Sequence, residues 1–534
     1  MSQIGEAIYK FFFSEEPEQD IQKEKLKIRF SLFFDGTLNN NTNIEEREKA
    51  ELGIESESYK KQGDGGSNSY DNGRTNIAIM EPNVPITKDK KGYDYSFKVY
   101  IEGQGTFNLE GDSLLGYSMG ALGSGVSSRA KQGIREAMQL LKDFLEDKPS
   151  DEFQIEKVDV DVFGFSRGAA TARHSISLMT DDLYIDEMRI PLFQRLNWMG
   201  YRETTAKNIE IKFAGLYDTV VSVNASQYNP WSDDKLNQRA VALATKSIHL
   251  AAAEEHRLDF PLHTIKSAID NGKGEEYYLP GVHSDVGGSY NQANAALLKQ
   301  QGNESRTVKI VLEAGSYQKM NSLRDKLIKS GSFTTEQLEV EVTAKSGRIP
   351  RPSKGKLIEV RTLDSKEYMR SSSEVNLVVS DGYSDNLNKD RDWLISQGWY
   401  RPDELSIYIT NIVMHGYGFQ GELVANRKNI KSAYSNIPLK IMARFARENE
   451  IEINPKLEDN ANTILDKEPD LKKLESDIED YVNSKSNSSK PEDWIKDVSL
   501  KEIRHDHLHM SAKVGMGYHP RFKKGNRRRY YYDG

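Results

Sequence analysis

The chain contains no cysteine. Disulfide bonds, thiolate nucleophiles and cysteine-bound metal centres are therefore excluded. It also lacks any apolar run of the ~18 residues that a membrane-spanning helix needs. The cluster Phe11-Phe12-Phe13 runs straight into acidic residues without a small-residue cleavage site, so no signal peptide is expected and the chain is read as cytoplasmic in the cell that makes it. Positive charge is not in excess: 73 Lys and Arg face 81 Asp and Glu, a formal net charge of −8. That balance argues against a nucleic-acid partner. No P-loop, H-E-x-x-H helix or EF-hand loop occurs, so neither a cofactor nor a metal is expected. His505, His507 and His509 cluster, but a histidine run without cysteine is read as incidental.

What is present reads as a folded chain. Hydrophobic residues make up 37% of 534 and charged residues 29%, which is polar for a globular chain yet too apolar for a disordered one. Short strands are expected at Ile28–Phe34, Phe97–Ile101, Val158–Phe163, from Ile209, and at Glu276–Leu279. Helical spacing covers 129–146, Leu250–Glu255 and Asn436–Ala446, the last with Pro438 in its first turn. Residues 38–75 read as a long polar loop or partly ordered excursion, and Leu357–Val360 as a further short strand. Alternation of strands and helices predicts an α/β fold with a mostly parallel central sheet flanked by helices. Four regions are expected: an arm at 1–26, a core carrying the chemistry at 27–300, an insertion, lid or docking region at 301–430, and a helical extension at 431–534. The extension ends in a basic tail containing Arg521, Lys523, Lys524, Arg527, Arg528 and Arg529, which could meet nucleic acid, phospholipid head groups or, most plainly, the acidic rest of the chain.

Gly164-Phe165-Ser166-Arg167-Gly168 fits G-x-S-x-G, and so does Gly116-Tyr117-Ser118-Met119-Gly120. A match arises by chance in roughly one chain in five of this length, so context must separate the two. A nucleophile elbow needs a strand before the serine and a helix after it. Ser166 has Val158, Val160, Val162 and Phe163 before it and Ala169, Ala170 and Ala172 after it; Ser118 has neither flank. Ser166 is therefore the expected nucleophile and Ser118 the second choice. Asp159 and Asp161 are unexpected in a central strand, which is usually apolar on both faces.

A serine hydroxyl needs a histidine to take its proton, and the histidine needs a carboxylate to orient it. Asp218 follows the strand beginning at Ile209, and His283 lies in the turn-rich Pro280–Gly288 after another strand, in the order serine, acid, histidine. Asp285 is the second-choice acid and His505, beside Asp506, the second-choice base. The oxyanion hole is expected to use the backbone N–H of Arg167, with a second donor from Gly36 or Thr37 after the first strand. Phe34-Asp35-Gly36-Thr37 lacks the nucleophilic aspartate of an aspartyl-phosphate motif, because that position is Phe33.

Phe34-Asp35-Gly36-Thr37, Gly164–Ala169, Tyr217-Asp218-Thr219-Val220, Glu255-His256-Arg257 and Gly281–Gly288 follow one another in the order of a known family. Over roughly 28–300 the chain resembles the α/β-hydrolase domain family that includes the class-one type VI secretion phospholipase effectors. It departs from the family's usual pattern at Tyr217, where tryptophan is usual, and at Ser289, where glycine is usual. The resemblance implies an α/β-hydrolase fold with large insertions and a C-terminal extension, and a triad of Ser166, Asp218 and His283. It also implies phospholipase A activity on membrane phospholipids and an antibacterial role in the periplasm of a target cell. A secretion spike or adaptor protein and a cognate immunity protein are the implied partners. Two other readings stay open at this point: a housekeeping carboxylesterase on another ester, and a non-catalytic interaction protein on a hydrolase fold.

Overall fold

The computed structural model describes residues 23–63, 68–90, 92–112, 125–146, 152–180, 209–221, 236–290, 310–313, 339–343, 374–379, 384–412, 418–427, 430–485, 487–511 and 529–534. At its centre lies a seven-stranded sheet. In chain order its strands are β1 (Glu24–Phe34), β2 (Lys88–Lys90), β3 (Tyr93–Ile101), β4 (Phe153–Phe165), β5 (Ile209–Tyr217), β6 (Lys246–Ala252) and, after the two-residue β7 (Leu262–His263) outside the sheet, β8 (Gly274–Leu279). Their spatial order is β2-β3-β1-β4-β5-β6-β8. All neighbours run parallel except the edge strand β2. β4 is central, and the register brings Ile101, Phe34, Gly164, Leu216 and His249 into one row. The loops after these strands therefore open on the same edge of the sheet, where open parallel sheets place their sites.

Each face of the sheet is covered. Leu26, Ile28, Phe30, Leu32 and Phe34 of β1 and Val158, Val160 and Val162 of β4 pack with the helices α1 (Val126–Leu145) and α2 (Arg167–Thr180). Phe33, Phe163, Phe165, Phe213 and Tyr217 point the other way, toward α3 (Asn436–Glu448) with Ile437, Ile441, Met442 and Phe445. Phe33 and Phe163 stack with centroids 4.8 Å apart.

The polar residues of β4 are paired. The Arg29 guanidinium on β1 donates to both oxygens of Asp161 at 2.7 and 2.9 Å. It also reaches the carbonyls of Asn449 and Glu450, just past α3. Asp159 accepts from Tyr93 at 2.5 Å and meets Lys157 at 2.9 Å. Buried charge is tolerated where it is paired and hydrogen-bonded, which is why two aspartates occupy a central strand.

Three readings are corrected. Leu250–Glu255 is not helical: Leu250, Ala251 and Ala252 end the buried strand β6, because a short apolar run suits either element and the neighbours on both sides decide. Residues 38–75 include helices at Asn41–Glu51 and Asn68–Asp71. The first has no apolar stripe; its buried face is Asn43, Ile44 and Arg47, held by an Asn40 cap and by Arg47 bonds to the Tyr70 and Asn72 carbonyls. The first strand begins at Glu24, inside the segment read as an arm. Ser118, Leu357–Val360 and all of the basic tail before Arg529 lie outside the described residues. Among the described residues no helix is long and apolar enough to cross a membrane.

Candidate active site

Ser166 stands between the end of β4 and the start of α2, with φ +59°. A non-glycine residue in that region costs about 1–3 kcal/mol and persists only where the surroundings impose it. Here they do. The Ser166 N–H donates to the Tyr217 carbonyl at 3.0 Å, and the Ser166 carbonyl accepts from Ala169 and from Val220. The flanking glycines are steric requirements. A Cβ on Gly164 would sit 2.5 Å from the Gly168 carbonyl oxygen, and one on Gly168 would sit 2.2 Å from that of Phe34.

Asp218 follows β5 in a second strained turn, with φ +40°. Its N–H donates to the Leu250 carbonyl at 2.8 Å. The next N–H, that of Thr219, donates to Nε2 of buried His249 at 3.0 Å. His249 therefore carries its proton on Nδ1, which bonds Glu276 at 2.8 Å. This histidine–carboxylate pair lies under the turn and holds it in place.

His283 opens a one-turn helix, His283–Gly287, after β8. Its Nδ1 bonds Asp218 Oδ2 at 2.5 Å. Its ring lies 4.5 Å from that of Phe165, the residue before Ser166, and 5.0 Å from that of Phe260. Two adjacent glutamates fix the histidine loop. Glu255 accepts the His283 N–H at 3.1 Å, and Glu254 accepts that of Gly281 at 3.0 Å. Glu255 is clasped by Arg257, whose guanidinium lies 3.4 Å from the Phe260 ring; Glu254 pairs with Arg504.

The three residues are nearly closed off from solvent: Ser166 is 5% exposed, His283 4% and Asp218 0%. Burial holds the His283 imidazole below its ordinary value, against the opposing pull of Asp218. Burial pushes the Asp218 carboxyl up, but the Arg529 guanidinium and then the His283 bond overcome it and hold the group well below the usual carboxylate range. Glu255 is likewise held low, where Arg257 outweighs burial.

The loop after β1 lies against the start of α2. Arg167 Nε donates to Thr37 Oγ1 at 2.5 Å. Gly36 is differently engaged: its N–H donates to Asp35 Oδ1 at 2.6 Å. Of the two residues expected as second oxyanion donor, Gly36 thus has its N–H bonded within the loop. Asp35 also accepts from Thr75 at 2.7 Å and Tyr100 at 2.6 Å, and burial pushes its carboxyl up to about 6.

The second-choice acid and base are occupied elsewhere. Asp285 bonds Nδ1 of His509 at 2.8 Å and accepts the Val282 and His509 N–H groups. His505 bonds Glu404 at 3.1 Å and its neighbour Asp506. Among the described residues, no group of three or more His, Asp or Glu could hold a metal.

Comparison with known proteins gives the same direction. Residues 186–312 match the family model described as "T6SS, Phospholipase effector Tle1-like, catalytic domain". The resemblance read from the motifs is borne out. The matched stretch contains Asp218 and His283 and begins after Ser166. A solved structure described as the Tle1 effector bound to the VgrG spike from the Type 6 secretion system superposes with a TM-score of 0.56, at 19% identity, over 96% of this chain and 94% of that one. The Tle1 likeness shows the fold to be that of an α/β-hydrolase. An uncharacterized protein from Pseudomonas aeruginosa is 20% identical over 55% of this chain and 45% of its own, with a TM-score of 0.29 too low to carry an argument. No curated protein matches the sequence.

The sequence reading missed Arg529 as part of this site. Its Nη1 and Nη2 donate to the two oxygens of Asp218 at 2.6 and 2.7 Å. The roles of Glu254 and His249 were also missed. Glu255 and Arg257 were visible only as a motif without an assigned task.

Proposed function

We propose that this protein is a serine hydrolase that cleaves the acyl ester bonds of membrane phospholipids, with Ser166 as nucleophile, His283 as base and Asp218 as the orienting acid. The observation that carries the reading is the Asp218–His283 bond of 2.5 Å beside a serine held at φ +59° between strand and helix. The Tle1-like match supports the substrate class and a type VI secretion route.

Asp218 holds the proton of His283 on Nδ1, which leaves Nε2 as the acceptor. Ser166 Oγ attacks the ester carbonyl carbon while Nε2 takes the hydroxyl proton. The carbonyl oxygen gains the negative charge and is met by the backbone N–H groups of Arg167 and Thr37. Collapse of the intermediate expels the lysolipid alkoxide, which takes the proton from His283 and leaves an acyl-serine. Water, deprotonated by His283, then releases the fatty acid and restores Ser166. A phospholipase A type of cleavage follows if the bond cut is at a glycerol acyl position. As an effector, the chain would be carried by a secretion spike or adaptor into the periplasm of a target cell, with an immunity protein protecting the producer.

Vesicles of phosphatidylethanolamine and phosphatidylglycerol carrying different labels on the two acyl chains test this reading. The wild-type protein is expected to release one labelled fatty acid, and Ser166→Ala to lower the rate by several orders of magnitude. Hydrolysis of soluble esters without release from any vesicle would point to a carboxylesterase. No hydrolysis of either would leave a binding role.

A further inference from the structure

Arg529 is separated from Asp218 by 311 positions yet makes more bonds to it than His283 does. The Arg529 side chain is 1% exposed. Its Nη1 and Nη2 grip the two carboxylate oxygens, Nη1 also reaches the Ala252 carbonyl at 3.2 Å, and Nε donates to that of Phe260 at 2.8 Å. The Ala252 N–H completes the set by donating to Asp218 Oδ1 at 2.8 Å. Each carboxylate oxygen thus has two donors, and the plane of the group is fixed.

The segment that brings Arg529 here is docked along its length. Tyr531–Tyr532 pairs in parallel with β7. The Tyr530 and Tyr532 carbonyls accept from Leu262 and Thr264, and that of Gly534 from Ser267. Tyr532 stacks on His263 at 5.3 Å. His263 in turn donates its N–H to the Thr219 carbonyl at 3.0 Å, next to Asp218.

We propose that Arg529 is a positioning residue for the triad, and that the 529–534 strap must be docked for the serine to be activated. The inference rests on the serine-hydrolase reading above. A carboxylate shared between a histidine and an arginine does two things. It holds the histidine in one orientation, and it lends the imidazolium less than its full charge, which keeps the base neutral to lower pH. The charged groups facing His283 are Asp218 after β5 and Glu255 and Arg257 after β6, with Asp285 on its own turn; Arg529 itself also faces Glu255 and Tyr531.

The test is the pH dependence of the rate at which a fluorophosphonate reacts with the full chain, for wild type, Arg529→Met and Arg529→Lys, with thermal unfolding measured alongside. Arg529→Met is expected to react tenfold or more slowly, about the cost of a displaced catalytic group, with its acidic limb moved up by about one pH unit. Arg529→Lys is expected to restore the limb and part of the rate. If Arg529→Met does not fold, Arg529→Gln is read in its place: a rate and an acidic limb like those of wild type would overturn the proposal. So would an Arg529→Met that reacts like wild type, or one equally slowed at every pH with no recovery by lysine. A wild-type chain that does not react at Ser166 would instead remove the hydrolase reading on which the proposal stands.

Discussion

Ser166, Asp218 and His283 were legible as a candidate site because each follows a strand that the sequence marks. Valines at alternating positions precede Ser166, and Ile209, Ile211 and Phe213 precede Asp218. Arg529 was not readable, since nothing local marks an arginine in a basic tail as the partner of a carboxylate 311 positions away. His249 and Glu254 were hidden for the same reason. Two predictions belong to this scale. Burial holds His283 below its ordinary value of 6.5, so it loses its proton at lower pH and is already a competent base there. The acidic limb of kcat/KM on a soluble ester is therefore expected to have its midpoint below 6.5, the ordinary value. Asp218 and Glu255 are held low in the folded chain, so each stabilises the fold fully above the ordinary carboxylate range near pH 4 and gives that up progressively as pH falls from there toward the lowered folded-state value. Glu255→Gln keeps an acceptor for the His283 N–H but removes the charge that clasps Arg257. It is expected to shrink the acid-side loss of stability, read as a smaller drop in unfolding temperature between about pH 5 and about pH 2.

Among the elements, β4 shows most clearly where local reading stops. Its apolar face was legible, whereas Asp159 and Asp161 made sense only once Arg29 of β1 and Tyr93 of β3 stood beside them. Removing one partner of a buried pair leaves an uncompensated charge, which costs about 3–5 kcal/mol. Arg29→Ala is expected to lose that much on chemical denaturation, more than any exposed ion pair such as Lys266–Asp270 would cost. β6 teaches a related lesson. Leu250 to Ala252 suit a helix or a strand equally, and pairing with β5 and β8 decides for the strand. The elbow is the opposite case, a turn whose glycines are dictated locally. Gly168→Ala would drive a Cβ to 2.2 Å from the Phe34 carbonyl oxygen. Overpacking of this kind costs about 1–3 kcal/mol, and displacement of α2 is expected to lower esterase activity more than stability.

For the molecule as a whole, the parallel sheet followed from the alternation of elements, and the register then places the loops after β1, β3, β4, β5, β6 and β8 along one edge. That convergence turns five separated motifs into one site. Packing of α3 across the second face was less legible, because its partners Phe163, Phe213 and Tyr217 are more than 200 positions away. The central claim is that Ser166 is an activated nucleophile. It is tested most directly by incubating the full chain with a fluorophosphonate and mapping the adduct by mass spectrometry, with Ser166→Ala and Ser118→Ala beside it. A stoichiometric adduct on Ser166, absent in Ser166→Ala and retained in Ser118→Ala, is the expected result. An unlabelled chain, or an adduct on Ser118 that survives Ser166→Ala, would contradict the account.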